Sequence, residues 1–295
     1  MKVLIIGATG MLGYSLFKNL VEAKGLDVYG TVRSIKGKEQ YFEGCEERLF
    51  DAVDVNDLAT VDAVLKELKP DVVINCIGLI KQHSISKQHI DAIAINSLLP
   101  HQLANLCDSH SCKLIHFSTD CVFDGSKGLY TEGDTPNASD LYGRTKCLGE
   151  IDYAPHLTLR TSIIGHELNS TVSLVDWFLS QEGRTKGFSK AIFSGMPTCF
   201  ISRLLLEKIL PAKELSGLYQ LSVEPVDKLT LLNLVADIYD KDIQIDESTD
   251  LKIDRSLNSK SLRDALELDI PSWKELVTEM HNDYLNRYEK YRCKN

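Results

Sequence analysis

Lys2-Val3-Leu4-Ile5-Ile6-Gly7-Ala8-Thr9-Gly10-Met11-Leu12-Gly13 is the stretch whose reading decides the fold. A short apolar run with β-branched residues reads as a buried strand, and the glycines that follow it mark a strand-to-helix turn. Gly7 permits the tight turn, Gly10 lets the backbone approach a pyrophosphate, and Gly13 lets the helix pack closely on the strand. The helix opening at Met11-Leu12, with Thr9 in the turn, offers unpaired N–H groups and a positive partial charge to a phosphate. A purely structural glycine turn is the competing reading, but strand, glycines and helix in this order predict a dinucleotide site over Gly7, Thr9, Gly10, Met11 and Leu12.

Outward from that turn, residues 27–32, 71–76 and 113–118 read as strands, with helical patterns at 11–23, 58–68 and 88–109 between them. Continuous apolar runs such as Val72-Val73-Ile74 suit strands buried on both faces, and strands separated by helices imply a parallel sheet. The expected architecture is α/β: a Rossmann-type, doubly wound parallel sheet over 1–165 with a smaller C-terminal substrate-binding lobe over 166–295, some of whose segments return to the sheet. In that second half, 183–187, 194–198 and 243–254 read as polar loops, 172–180 and 227–239 as helices, and 272–291 as one amphipathic helix. A cleft between the lobes at the strand ends is where ligands bind in such sheets.

The 295 residues, 43% hydrophobic and 25% charged, suit a globular protein, and the formal charge of −9 argues against a nucleic-acid surface. No apolar run approaches a membrane span and no secretion signal opens the chain, so a cytoplasmic protein is expected. The eight cysteines make no CxxC pair and no zinc spacing, which predicts reduced thiols, most of them packed in the core, and no metal.

Cofactor choice is read at the end of the second strand, where NAD calls for a carboxylate and NADP for a cation. Arg33-Ser34 stand there, followed by Lys36 and Lys38, so NADPH is favoured over NADH. Asp54-Val55 are placed to flank the adenine, although Asp54 could equally cap the next helix. Cys76 and Gly78, at the end of the 71–76 strand, complete the cofactor contacts expected.

Tyr142 and Lys146 are four apart, so a helix projects both from one face. An ammonium beside a phenol stabilises its anion and makes the pair a usable proton donor. Thr119, in Ser118-Thr119-Asp120 at the end of the preceding strand, supplies a hydroxyl for a substrate carbonyl.

Glycine turn, strand-end Ser/Thr and Tyr-x-x-x-Lys in this order resemble the extended short-chain dehydrogenase/reductases. Ser118 to Gly125, Tyr142 to Glu150, Leu159-Arg160-Thr161-Ser162 and Gly195-Met196-Pro197-Thr198 are similar, more specifically, to the dTDP-4-dehydrorhamnose reductase branch. The resemblance implies that Thr119, Tyr142 and Lys146 are catalytic, that Tyr142 protonates the sugar C4 oxygen while NADPH gives hydride to C4, and that Tyr142 and Lys146 also contact the cofactor. It places Lys81, His83, Asp120, Cys121, Ile163 and Thr198 against the substrate.

Two positions depart from that branch, which usually has Tyr at Cys121 and an aromatic residue at Ile163. Cys121 is instead similar to the cysteine of bifunctional epimerase-reductases, where the thiol relays a proton beside the keto group. That adds Cys121 to the catalytic residues for a C3 epimerisation, with His166, Lys186 or His83 as second acid/base; a structural thiol is the alternative. The resemblance favours a UDP-linked 2-acetamido-4-keto-6-deoxyhexose as substrate, in deoxy-sugar and polysaccharide biosynthesis. The alternatives are dTDP-4-dehydrorhamnose and a non-catalytic, NADP-binding regulatory subunit. A homodimer through the helices at 88–109 and 142–151 is a further expectation.

Overall fold

The computed structural model describes residues 1–79 and 88–292. The strands are β1 (Lys2–Ile6), β2 (Asp27–Thr31), β3 (Leu49–Phe50), β4 (Val72–Asn75), β5 (Lys113–Thr119), β6 (Leu157–Thr161), β7 (Ile163–Ile164), β8 (Arg184–Phe188), β9 (Ala191–Phe193), β10 (Met196–Pro197), β11 (Gly217–Gln220), β12 (Val226–Asp227), β13 (Gln244–Ser248) and β14 (Ile253–Asp254). The helices are α1 (Met11–Leu20), α2 (Leu58–Leu68), α3 (His89–Ala92), α4 (Leu99–Ser109), α5 (Leu141–Leu148), α6 (Leu174–Ser180), α7 (Thr198–Leu204), α8 (Lys228–Ile238), α9 (Lys260–Leu266) and α10 (Trp273–Arg287).

Seven strands form one sheet in the order β3-β2-β1-β4-β5-β6-β11, and every neighbouring pair is parallel. Alternate residues of β1 face opposite cores. Val3 and Ile5 pack with Leu16 and Phe17 of α1, whereas Leu4 and Ile6 pack with Val61 and Leu65 of α2 and Leu103 of α4. Burial on both faces explains the unbroken apolar run, since each fully buried Leu, Ile or Val side chain contributes about 1.5–3 kcal/mol. The α/β doubly wound sheet read from the sequence is the observed fold. Phe200, Ile201 and Leu204 of α7 pack on the α1 side of that sheet, and β11 closes its far edge.

The second lobe has its own core of Phe178, Phe193, Leu231, Val235, Val277 and Met280. Here the sequence reading needs correction. The expected loops at 183–187 and 243–254 contain β8 and β13, which pair in parallel, and β14, which pairs with β9. Both β8 and β13 are largely exposed or half-buried, so their sequences carry charge and no apolar alternation. The expected loop at 194–198 holds β10, paired with β7. The C-terminal helix stops at Arg287, where Tyr288 turns inward to pack edge-on against Tyr14 at 5.3 Å. Among the described residues no helix is long and apolar enough to cross a membrane.

Candidate active site

The glycine turn is tight for a steric reason. Gly7 has φ +89°, and a Cβ on Gly13 would lie 2.1 Å from the Gly7 carbonyl oxygen, so α1 can meet the strand only with glycine there. Gly10 caps α1 without a side-chain hydrogen bond, and no acidic residue occupies the first turn. The first N–H groups of α1 are therefore left for an anion, and the residues fit a dinucleotide pyrophosphate. Thr9 and Met11 are half-buried beside this turn, and Leu12 is buried. Arg33 and Ser34 are exposed just beyond β2, where Ser34 accepts from the Lys36 N–H at 3.3 Å. Asp54 is engaged locally: its Oδ1 accepts from Asn56 N at 3.0 Å and Nδ2 at 2.9 Å, while Asp57 caps α2. Val55 packs against the α2 side of the core.

On the other side of β1, Cys76 extends β4 through its N–H to the Ile6 carbonyl, 3.0 Å, and burial pushes its thiol up. Gly78 then brings the chain beside the key lysine, since a Cβ there would lie 3.8 Å from Lys146 Nζ. This loop is held by Asn96, whose Oδ1 accepts from Leu79 N at 2.8 Å and whose Nδ2 donates to Leu79 O at 3.1 Å. Asn96 sits in a π-helical stretch, Ile93–Leu98, that joins α3 to α4. The expected uninterrupted helix thus contains a wider turn, a feature frequent at functional sites.

Thr119, Asp120, Cys121, Tyr142 and Lys146 come together at the C-terminal end of β5. Asp140 caps α5 by accepting from Gly143 N at 2.9 Å. A Cβ on Gly143 would lie 2.2 Å from the Cys121 carbonyl oxygen, so α5 lies directly on the turn after β5 and seats Tyr142 beside Thr119. Thr119 Oγ1 accepts from Cys121 N at 3.1 Å and donates to Asp120 Oδ1 at 3.0 Å. Burial raises the half-buried Tyr142 phenol and the neighbouring Cys121 raises it further, opposed by a hydrogen bond with Thr119. Lys146 Nζ donates to Phe117 O at 2.7 Å and lies 3.4 Å from His116 Nε2. Burial lowers Lys146 to about 8, opposed by Glu150. His116 is buried and held well below its usual range by burial and then by Lys146, and its Nδ1 meets Asn75 Nδ2 at 3.2 Å.

Behind this row, Arg160 makes a bidentate pair with Glu150, 2.7 Å for each contact, and Ser118 Oγ donates to the same carboxylate at 2.6 Å. The ion pair is almost wholly enclosed, with side-chain exposures of 5% and 7%. It ties β5, β6 and the end of α5 into one unit.

Other expected residues fall differently. Ile163 lies in β7 against the sheet core. Thr198 is buried, with its side chain packed where a Cβ of Gly165 would intrude, so it shapes the lobe junction. His166 is locked in a buried network, Nδ1 to Asp176 at 2.6 Å and Nε2 to the Tyr239 hydroxyl at 2.8 Å, which corrects its reading as the second acid/base. Lys186 pairs with Asp250 on the surface. Lys81 and His83 lie outside the described residues. Two residues missed by sequence reading face the site from the second lobe: Arg255, whose Nη1 donates to Cys121 Sγ at 3.7 Å, and Lys228, in electrostatic reach of Asp120 and Cys121. Neither stood in a motif. His116 did carry a signal, as a polar residue inside the otherwise apolar Leu114-Ile115-His116-Phe117.

A dinucleotide turn, a strand-end Ser/Thr and a helical Tyr-x-x-x-Lys on a doubly wound sheet define the class of the extended short-chain dehydrogenase/reductases. Within it, the chain belongs to the RmlD substrate binding domain family, whose model matches residues 1–183. It is 35% identical over 184 residues to a probable low-salt glycan biosynthesis reductase, Agl14, of Haloferax volcanii, covering 59% of this chain and 57% of that one. It is 30% identical over 153 residues to methionine adenosyltransferase 2 subunit beta of Xenopus tropicalis, covering 50% and 41%. The matches thus span about half the length of these curated relatives. The fold is similar to that of dTDP-4-dehydrorhamnose reductase from Bacillus anthracis, solved with NADP, at TM-score 0.77 and 20% identity over 96% of this chain and 99% of that one.

Proposed function

We propose that this chain reduces the C4 keto group of a nucleotide-linked 4-keto-6-deoxyhexose with NADPH. The observation that carries the reading is Tyr142 seated beside Thr119 at the end of β5, with Lys146 one turn further along α5. When bound, NADPH supplies the hydride that reaches C4. Thr119 and Tyr142 hydrogen-bond the C4 oxygen, and Tyr142 gives it its phenolic proton as alkoxide character develops. A raised phenol keeps that proton until an oxygen more basic than itself forms. Lys146 holds positive charge beneath the site, and the N-terminus of α1 with exposed Arg33 binds the phosphates of NADPH.

The family match and the similar solved reductase rank dTDP-4-dehydrorhamnose first among substrates. The UDP-linked 2-acetamido sugar expected from the sequence is the second reading, favoured by Cys121 and Ile163 standing where aromatic residues are usual. Cys121 would then relay a proton at C3, a role consistent with a half-buried thiol that faces Tyr142 and accepts from Arg255. Ile90, Ile93 and Leu98 around α3, and Leu148 of α5, are exposed apolar residues that suit a homodimer, which light scattering would test.

The test is to incubate the protein with NADPH and each sugar in turn, following NADPH absorbance and the product by NMR. Consumption with one sugar, abolished in Tyr142→Phe, supports the reading and chooses the nucleotide. No consumption with either favours a binding subunit.

A further inference from the structure

The end of the small sheet in the second lobe brings two cations to the catalytic turn. Ile192 of β9 is the register partner both of Asp227 in β12 and of Asp254 in β14, and the next residue after each is Lys228 and Arg255. Arg255 is fixed by Nε donating to Phe123 O at 2.9 Å, which aims Nη1 at Cys121 Sγ, 3.7 Å away. Lys228 is half-buried and has no hydrogen bond or ion pair among the described residues, while Asp120, Cys121 and Arg255 surround it electrostatically. Among the described residues, Asp120 on its own turn, Tyr142 on α5, and Arg255 and Lys228 face Cys121, with Asp140 in electrostatic reach of Tyr142. Burial keeps Tyr142 protonated, and Arg255 is the cation in direct contact with the thiol, with half-buried Lys228 in electrostatic reach of Cys121 and of buried Asp120.

We propose that Arg255 and Lys228 hold Cys121 as a thiolate, which makes it the base for the C–H bond beside the keto group of the substrate. Both are positioning residues that act through Cys121, and the proposal rests on the keto-sugar reading above. Cations beside a partly exposed thiol favour its anion, and a carbon next to a carbonyl is acidic enough for a thiolate to deprotonate. In the step, the C–H bond breaks and an S–H bond forms on Cys121. The C–H electron pair becomes the double bond of an enolate, and the carbonyl pair moves to the oxygen held by Thr119 and Tyr142. Return of a proton to the carbon restores the ketone, without inversion when it comes back from Cys121, and with inversion when solvent water supplies it on the other face and Cys121 releases its own proton to solvent. No oxidant or reductant enters.

The test needs no sugar. Cys121 is alkylated with iodoacetamide across a pH series and read by peptide mass, with buried Cys107 and Cys199 as internal controls. The expected midpoint lies below the ordinary thiol value of about 8.5, and Arg255→Met or Lys228→Met slows alkylation near neutral pH by about tenfold, the change that one pKa unit produces. Arg255→Lys should retain most of the rate. A wild-type midpoint at or above the ordinary value, or rates unchanged in both Met variants, overturns the proposal. NADPH binding by fluorescence checks that each variant is folded, and should Arg255→Met fail to fold, Lys228→Met carries the test. In a second arm, the keto sugar is placed with the protein in deuterated water without NADPH. Deuterium beside the keto group, lost in Lys228→Met, supports the base role, and a depressed midpoint without exchange removes it. Failure of NADPH consumption would count against the reductase reading and leave the alkylation result standing.

Discussion

The sheet half and the second lobe are built from different material. Strands in the first are up to seven residues long and parallel, with β1, β4, β5 and β6 at its centre almost wholly buried, whereas those outside the large sheet are no longer than five residues, and the longest of them, β8 and β13, are largely exposed or half-buried. The groups of the proposed chemistry follow the same division. Tyr142 and Lys146 are seated by backbone, through the close approach of Gly143 to Cys121 and the Lys146 bond to Phe117 O. Lys228 and Arg255 arrive from the small sheet and bring charge. Proton transfer to a carbonyl needs positions fixed within fractions of an ångström, which a doubly buried sheet provides, while charge acts over longer distance and tolerates a looser support.

Predictions that would break this division run from large to small. Tyr142→Phe should lower kcat by about 10²–10⁴-fold while the folded protein still binds NADPH; a loss under tenfold would move the acid elsewhere. Arg160→Met strands Glu150 in the interior and should cost about 3–5 kcal/mol by chemical denaturation, with Glu150→Leu added to it recovering most of the loss. Lys146 titrates near 8, against an ordinary 10.5, so kcat/KM of the free enzyme should fall as pH rises through about 8. Because the folded state then holds fewer protons than the unfolded one, the penalty of burying Lys146 is full below about 8 and is relieved toward 10.5. Lys146→Met should therefore gain stability over the wild type at neutral pH and lose that advantage at alkaline pH. Arg33→Ser should shift preference from NADPH toward NADH by about tenfold, the loss of one charged hydrogen bond. Lys186→Ala in the second lobe should leave Tm unchanged, since its pair with Asp250 is exposed.

The same contrast explains what could be read in advance. Lys2–Ile6 and Leu58–Leu68 were legible to the residue because burial on two faces, or along one helical stripe, leaves a pattern in the chain. Thr119, Cys121, Tyr142 and Lys146 were legible because a strand end and one helical turn bring them together. β8 and β13 were not, since Arg184-Thr185-Lys186-Gly187-Phe188 pairs with Gln244-Ile245-Asp246-Glu247-Ser248 on a largely exposed ribbon, with an Arg184–Asp246 ion pair across it, and neither alternates. Arg255 was invisible for a different reason: it reaches Cys121 across 134 positions, through a register no local pattern records. His166 misled because only the resemblance, and no pattern in its own surroundings, suggested it as the second acid/base, whereas Asp176 and Tyr239 draw the ring into the lobe interior.

The seventh strand has a consequence for synthesis. β6 is buried throughout, yet the partner for its outer edge, β11, ends only at Gln220. While the ribosome is still translating the intervening segment, the nearly complete sheet presents a row of unsatisfied N–H and C=O groups along β6, a template for the same strand on a neighbouring nascent chain. Emergence of Gly217–Gln220 marks the moment at which polysome neighbours stop being competing partners.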